Sequence, residues 1–151
     1  MLRAGANEYR NEAEFYLALG QIEEERGSDE SAKEHYANGL KFNPTSVQLW
    51  ISLANLEERT GSVAKARSRL EMARLRNPKV ARLWLESALL EKRALLSKAR
   101  GAGSTSGGAR FDVVQSILAK GIRECRDCAD VEMLQAELNA ISKRKLVQSA
   151  T

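Results

Sequence analysis

Few residues in this chain could do chemistry. Cys125 and Cys128 form a Cys-x-x-Cys pair, the spacing of a redox dithiol or of half a zinc site. A zinc site needs a second pair or histidines at ligand spacing, and none follows; His35, far upstream, is the single histidine. The pair therefore reads as two reduced thiols at a helix end. Nucleophilic catalysis would need an activated side chain beside a base, and phosphate chemistry a Gly-rich loop after a strand; the sequence offers neither. Its carboxylates are spread at intervals instead of converging, as in Glu23, Glu57 and Glu91, each 34 positions from the next. No catalytic residue, cofactor or metal is expected, and the chain reads as a non-enzyme.

That interval is the organising feature. Asn43, Pro44, Leu49, Trp50, Ala54, Leu56 and Glu57 are answered by Asn77, Pro78, Leu83, Trp84, Ala88, Leu90 and Glu91, 34 positions later. Subtracting the same interval gives Phe15, Tyr16, Leu19, Gly20, Ile22 and Glu23, so at least three copies exist. A period in this range means stacked helix pairs, each burying its apolar face against its neighbours. Trp50 and Trp84, with Tyr16, read as packing residues and not as ligand-stacking platforms.

With 151 residues, 43% hydrophobic and 29% charged, the chain falls in the ordered, soluble class. Its two prolines, Pro44 and Pro78, stand at the ends of repeat units, and aromatics are only 5%. Both facts favour helices over strands. A net charge of +4 permits acidic partners or RNA without demanding either. No apolar run is long enough to span a bilayer, and the first fifteen positions lack a signal peptide's apolar segment, so the parent protein is expected in the cytosol or nucleus.

In chain order, a first helix is expected from Asn11 or slightly earlier, Asn11 and Glu14 forming a capping box, and ending at Gly27. Ser28 opens the second, which packs Ala32, Tyr36 and Gly39 and stops at Asn43-Pro44. Thr45 and Gln48 cap the third helix, Gly61 breaks it, and Ser62 starts the fourth, with Val63, Ala66, Leu70 and Ala73 inward. A fifth helix runs from Val80 to about Ser97, and residues 101–108, rich in Gly and Ser, read as a mobile linker. The pattern resumes at an offset of 48, mapping Ala66, Leu70 and Ala73 onto Val114, Leu118 and Gly121. The same offset puts Val131, Met133, Ala136 and Leu138 on the packing face of a terminal helix, 130–143. The expected architecture is an all-α, right-handed α-α superhelix of about seven helices. Its units are 11–44, 45–78 and 79–126, one repeat array cut from a longer protein.

Trp50, Leu53 and Glu57, followed by Ala66-Arg67, Leu70-Glu71 and Asn77-Pro78, resemble the half-a-tetratricopeptide (HAT) repeat family. An ordinary tetratricopeptide unit has Leu-Gly after its tryptophan and a tyrosine three residues on; here Leu53-Ala54 is followed by the carboxylate of Glu57. Residues 39–93, and again 119–125, resemble the arrays of family members that bridge parts of the spliceosomal tri-snRNP. Arg126 and Glu132 depart from that pattern, where a proline and a tryptophan are expected. The resemblance implies a nuclear protein-interaction scaffold in pre-mRNA splicing. Its partners would be other spliceosomal proteins, with small nuclear RNA in the particle left open, and no membrane or small-molecule substrate. Scaffolds of 3′-end cleavage or ribosome biogenesis are the alternatives within the family.

Two sets of residues carry the expected function. Glu23, Glu57 and Glu91 face a base at the matching second-helix position, Lys33 or Arg67, as an acid–base pair orienting helix A on helix B or one unit on the next. The third unit has Gln115 there. Lys65, Arg67, Arg69, Arg74 and Arg76, followed by Arg82, read either as a solvated face or as a docking stripe for an acidic partner or RNA phosphates. Direct RNA binding by a helical repeat is the competing function, but aromatics for base stacking are missing beside these charges.

Overall fold

A computed structural model describes residues 8–102 and 108–149, with side chains placed over 12–98 and 112–143. Among the described residues there are seven helices and no strand: α1 (Glu8–Glu25), α2 (Asp29–Phe42), α3 (Val47–Arg59), α4 (Val63–Arg76), α5 (Ala81–Ala102), α6 (Gly108–Glu124) and α7 (Val131–Ser149). They fall into two compact units, 1–77 and 78–151. The expected all-α helical-repeat architecture is what folds.

The punctuation is local. Gly27 and Gly61 adopt φ of 81° and 94°, the left-handed region where a Cβ would be strained. Each closes a Schellman turn, with Ser28 N–H on the Glu23 carbonyl and Ser62 N–H on the Glu57 carbonyl, both at 2.8 Å. The caps at the other ends differ from expectation. Ser28, Ser46 and Ser62 hold the N-cap positions without any side-chain cap bond, so the Thr45–Gln48 box does not form. Helix α1 already runs at Asn11, which leaves no capping box there either.

In the first unit α1 packs on α2, α2 on α3, and α3 on α4. The run is reversed between α1 and α2: Tyr16, midway along α1, stacks on Phe42 at the end of α2 with ring centroids 5.9 Å apart, while Gly20, further along α1, meets Tyr36, earlier in α2. Tyr36, Leu49, Leu53 and Leu56 are fully buried. Each such side chain contributes about 1.5–3 kcal/mol, which lets short helices of weak intrinsic stability persist.

In the second unit α5, α6 and α7 pack pairwise around Trp84, Ala88, Val114, Leu118, Leu134 and Ile141. Two expectations are corrected here. Helix α5 continues five residues past Ser97, to Ala102, so the Gly/Ser stretch is shorter as a connection; its residues 103–107 lie outside the described residues. The α7 register also slips. Leu134 and Ile141 are buried, whereas Met133 is 39% exposed and Ala136 faces solvent. Leu83 and Leu90 therefore correspond to Leu134 and Ile141, an offset of 51 where α6 keeps 48. Three extra residues in the α6–α7 connection rotate α7 by most of a turn.

Candidate protein-docking surface

The repeated aromatics act on the repeated prolines. The indole N–H of Trp50 donates to the Pro44 carbonyl at 2.7 Å, and that of Trp84 to the Pro78 carbonyl at 3.1 Å. Proline follows a helix stop, and its carbonyl would be left over in the turn; the indole six residues on satisfies it. Both tryptophans are buried, Tyr16 is half-buried, Pro44 is half-buried and Pro78 exposed. Small residues make the aromatics fit. A Cβ on Gly39 would lie 2.7 Å from the Tyr16 Cβ, and one on Gly121 would lie 2.7 Å from the Trp84 Cβ.

The carboxylates occupy different surroundings. Glu57 is buried, and its Oε2 stands 3.8 Å from Lys33 Nζ, which also bonds Glu30 at 3.1 Å. The pair thus joins the second helix of one repeat, α2, to the first helix of the next, α3. Glu23 instead meets Arg26, just past the end of α1, at 3.6 Å. Glu91 is half-buried on α5 and Arg67 exposed on α4; neither is free of polar contacts.

The basic residues divide by position. Along α4, at about 100° per residue, Lys65, Arg69 and Arg76 line one flank of the buried Ala66–Leu70–Ala73 stripe, and Arg67 and Arg74 the other. Lys65, Arg67 and Arg76 are exposed, Arg69 and Arg74 half-buried. Arg82 is exposed on α5, in the second unit.

One cluster went unseen in the sequence. Arg59 at the end of α3 bonds Glu24 of α1 at 3.2 Å and Asp29 of α2 at 3.0 Å, and the Tyr36 hydroxyl donates to Glu24. Burial first, then the Glu24 carboxylate, holds the Tyr36 phenol well above the usual tyrosine range. A signal existed, since Glu58 and Arg93 repeat Glu24 and Arg59 one period on. In the second unit Lys92 of α5 bonds Glu137 of α7 at 2.8 Å, and Lys120 lies 6.0 Å from the centre of the Trp84 ring.

The two cysteines are free thiols tied to one loop. Cys128 donates to the Lys79 carbonyl at 2.7 Å and Cys125 lies 3.9 Å from the Pro78 carbonyl. Burial, and secondarily the Cys128 sulfur, push the Cys125 thiol up to about 11, so it is a poor nucleophile. Among the described residues no three His, Cys, Asp or Glu side chains gather as a metal site would require.

The tetratricopeptide repeat model matches residues 13–56 and 47–90, together more than half of the chain. The chain belongs to the tetratricopeptide repeat family. Among solved structures it is similar to the "First TPR of Spaghetti (RPAP3) bound to HSP90 peptide SRMEEVD", at TM-score 0.59 and 14% identity over 90% of this chain and 97% of that one. A likeness to the MamA protein, at TM-score 0.49 and 14% identity over 93% of each chain, adds nothing further. No curated protein matches the sequence. Tetratricopeptide folds are protein-binding scaffolds, and this chain is a helical-repeat protein-interaction scaffold. Among the described residues, no helix is long and apolar enough to cross a membrane.

Proposed function

We propose that this tetratricopeptide chain is of the HAT type and serves as a non-enzymatic scaffold in pre-mRNA splicing. It would hold components of the tri-snRNP together in the nucleus, as the resemblance of residues 39–93 to the C-terminal array of pre-mRNA-processing factor six suggests. The observation that carries the HAT assignment is Glu57. At a position where an ordinary unit carries tyrosine, this chain buries a carboxylate against Lys33 of the preceding helix. Lys65, Arg67, Arg69, Arg74, Arg76 and Arg82 are the candidate partner-binding residues, suited to acidic segments of other spliceosomal proteins.

The test is affinity purification of the tagged protein from nuclear extract, with the co-purified proteins and RNAs identified together. Spliceosomal proteins with their small nuclear RNAs, lost on charge reversal of Arg67 and Arg76, support the assignment. Cleavage or ribosome-biogenesis factors without those RNAs would move the scaffold to another RNA-processing complex. Salt-sensitive binding of naked RNA by the purified chain would favour direct RNA recognition.

A further inference from the structure

The outer face of α4 departs from the pattern of the other second helices. Lys65, Arg69, Met72 and Arg76, at steps of four, three and four, form one ridge along the helix, and Leu75 stands beside Met72. Met72 is 43% exposed and Leu75 77%. At the equivalent positions α2 carries Asn38 and Lys41, and α6 carries Lys120 and Arg123, so the repeat places polar side chains where α4 places an apolar pair. The bases are as particular to α4, since Ser31, His35 and Phe42 stand in α2 where Lys65, Arg69 and Arg76 stand in α4. No internal pairing accounts for them. Among the described residues Lys65, Arg69 and Arg76 meet no carboxylate, whereas Arg67 and Arg74 on the other flank are engaged.

A neighbouring repeat does not close this face. Helix α2 packs between α1 and α3, and still exposes Ser31, Glu34, Lys41 and Phe42, the counterparts of Lys65, Ser68, Leu75 and Arg76, with His35 and Asn38 half-buried. A second helix with a neighbour on either side thus keeps this side toward solvent.

We propose that this face of α4 docks an acidic amphipathic helix of another protein. The inference deepens the partner-binding role given above to the α4 bases and rests on that reading, not on the splicing assignment. Carboxylates of the partner meet Lys65, Arg69 and Arg76, and an apolar pair one turn apart covers Met72 and Leu75, taking their exposed surface out of water. The ridge is about 16 Å long at about 1.5 Å per residue, three turns of a helix laid beside it. RNA is the poorer occupant. Its phosphates would meet the bases but set a charged backbone against Met72 and Leu75, and no aromatic stands among these residues for a base to stack on.

The probe is a hydrocarbon-stapled helix with two leucines one turn apart, flanked by glutamates, titrated into the isotope-labelled full chain beside an oligoglutamate of the same length. Saturable chemical-shift changes along residues 65–76 are expected, with the stapled helix binding at least about tenfold more tightly than the oligoglutamate. Met72→Ser with Leu75→Ser should remove that advantage and leave the oligoglutamate affinity unchanged. Lys65→Glu with Arg76→Glu should weaken both ligands, and a stapled helix with lysine in place of glutamate should bind that variant and not the original chain. Equal affinities for the two acidic ligands overturn the inference and leave the acidic-partner reading standing; binding of neither overturns both. Tighter binding of oligouridylate or of phosphatidylserine vesicles at the same residues also overturns it, the surface then being one for nucleic acid or membrane.

Discussion

Gly20 of α1 faces the ring of Tyr36 of α2 so closely that a Cβ on Gly20 would lie 2.2 Å from the Tyr36 Cε1. At the equivalent repeat positions stand another pair of sizes, Ala54 and Leu70, and again Ala88 and Leu118, all buried. Gly20→Ala should therefore destabilise the chain by about 1–3 kcal/mol, despite alanine's better helix propensity. Tyr36→Leu alone should also destabilise, by leaving a void and taking from Glu24 one of its two partners, Arg59 remaining. Combined, the two changes reproduce the second repeat's pair, and urea denaturation should show a double variant more stable than the sum of the single losses.

Trp50→Phe keeps most of the ring and removes the donor to the Pro44 carbonyl. A loss of about 1–3 kcal/mol is expected, from the orphaned carbonyl and the smaller side chain together. Trp84→Phe, with the same bond to Pro78, should lose a similar amount in thermal melts.

The Lys33–Glu57 pair is asymmetric. Lys33 has Glu30 as a second partner, whereas the Glu57 Oε2 is buried with no hydrogen bond. Lys33→Met strands a buried carboxylate and should cost about 3–5 kcal/mol. Glu57→Gln leaves Lys33 paired and should cost less, about 1 kcal/mol. Equal losses in denaturant titrations would contradict a pair buried on the Glu57 side only.

Stability should fall at alkaline pH. The folded state holds both Tyr36 and Cys125 above their ordinary values, each favoured in its protonated form. Such groups contribute fully below the unfolded values, about 10 for tyrosine and about 8.5 for cysteine. The cysteine contribution is lost as pH rises from there through about 11, and the tyrosine contribution begins to fall above about 10. Melting temperatures from pH 7 to 11 should decline from about pH 8.5 upward. Cys125→Val should flatten the first part of that decline and Tyr36→Phe the last.

The helix pairs and the tetratricopeptide-like repeat were legible because their signals are local. Gly27 and Gly61 mark positive-φ stops, Asn43-Pro44 and Asn77-Pro78 end helices, and a 34-residue period reports stacked pairs wherever the units meet. The terminal helix was misread, since its register depends on how the Cys125–Asp130 connection winds, and no periodicity crosses that segment. The basic residues of α4 read as one stripe, although the inward Ala66, Leu70 and Ala73, legible from the same spacing, already divide them into two flanks.

By itself the sequence determined seven helices, their pairing, and the repeat positions that aromatics, small residues and carboxylates occupy, because backbone propensity and periodicity act within one unit. Tertiary structure alone decided which of those equivalent positions are equivalent in energy. Leu49 and Phe15 hold the same place in the repeat, yet α2 covers the first and leaves the second open. Burial belongs to a residue and its neighbours together, and an identical repeat position can be core in one unit and surface in the next.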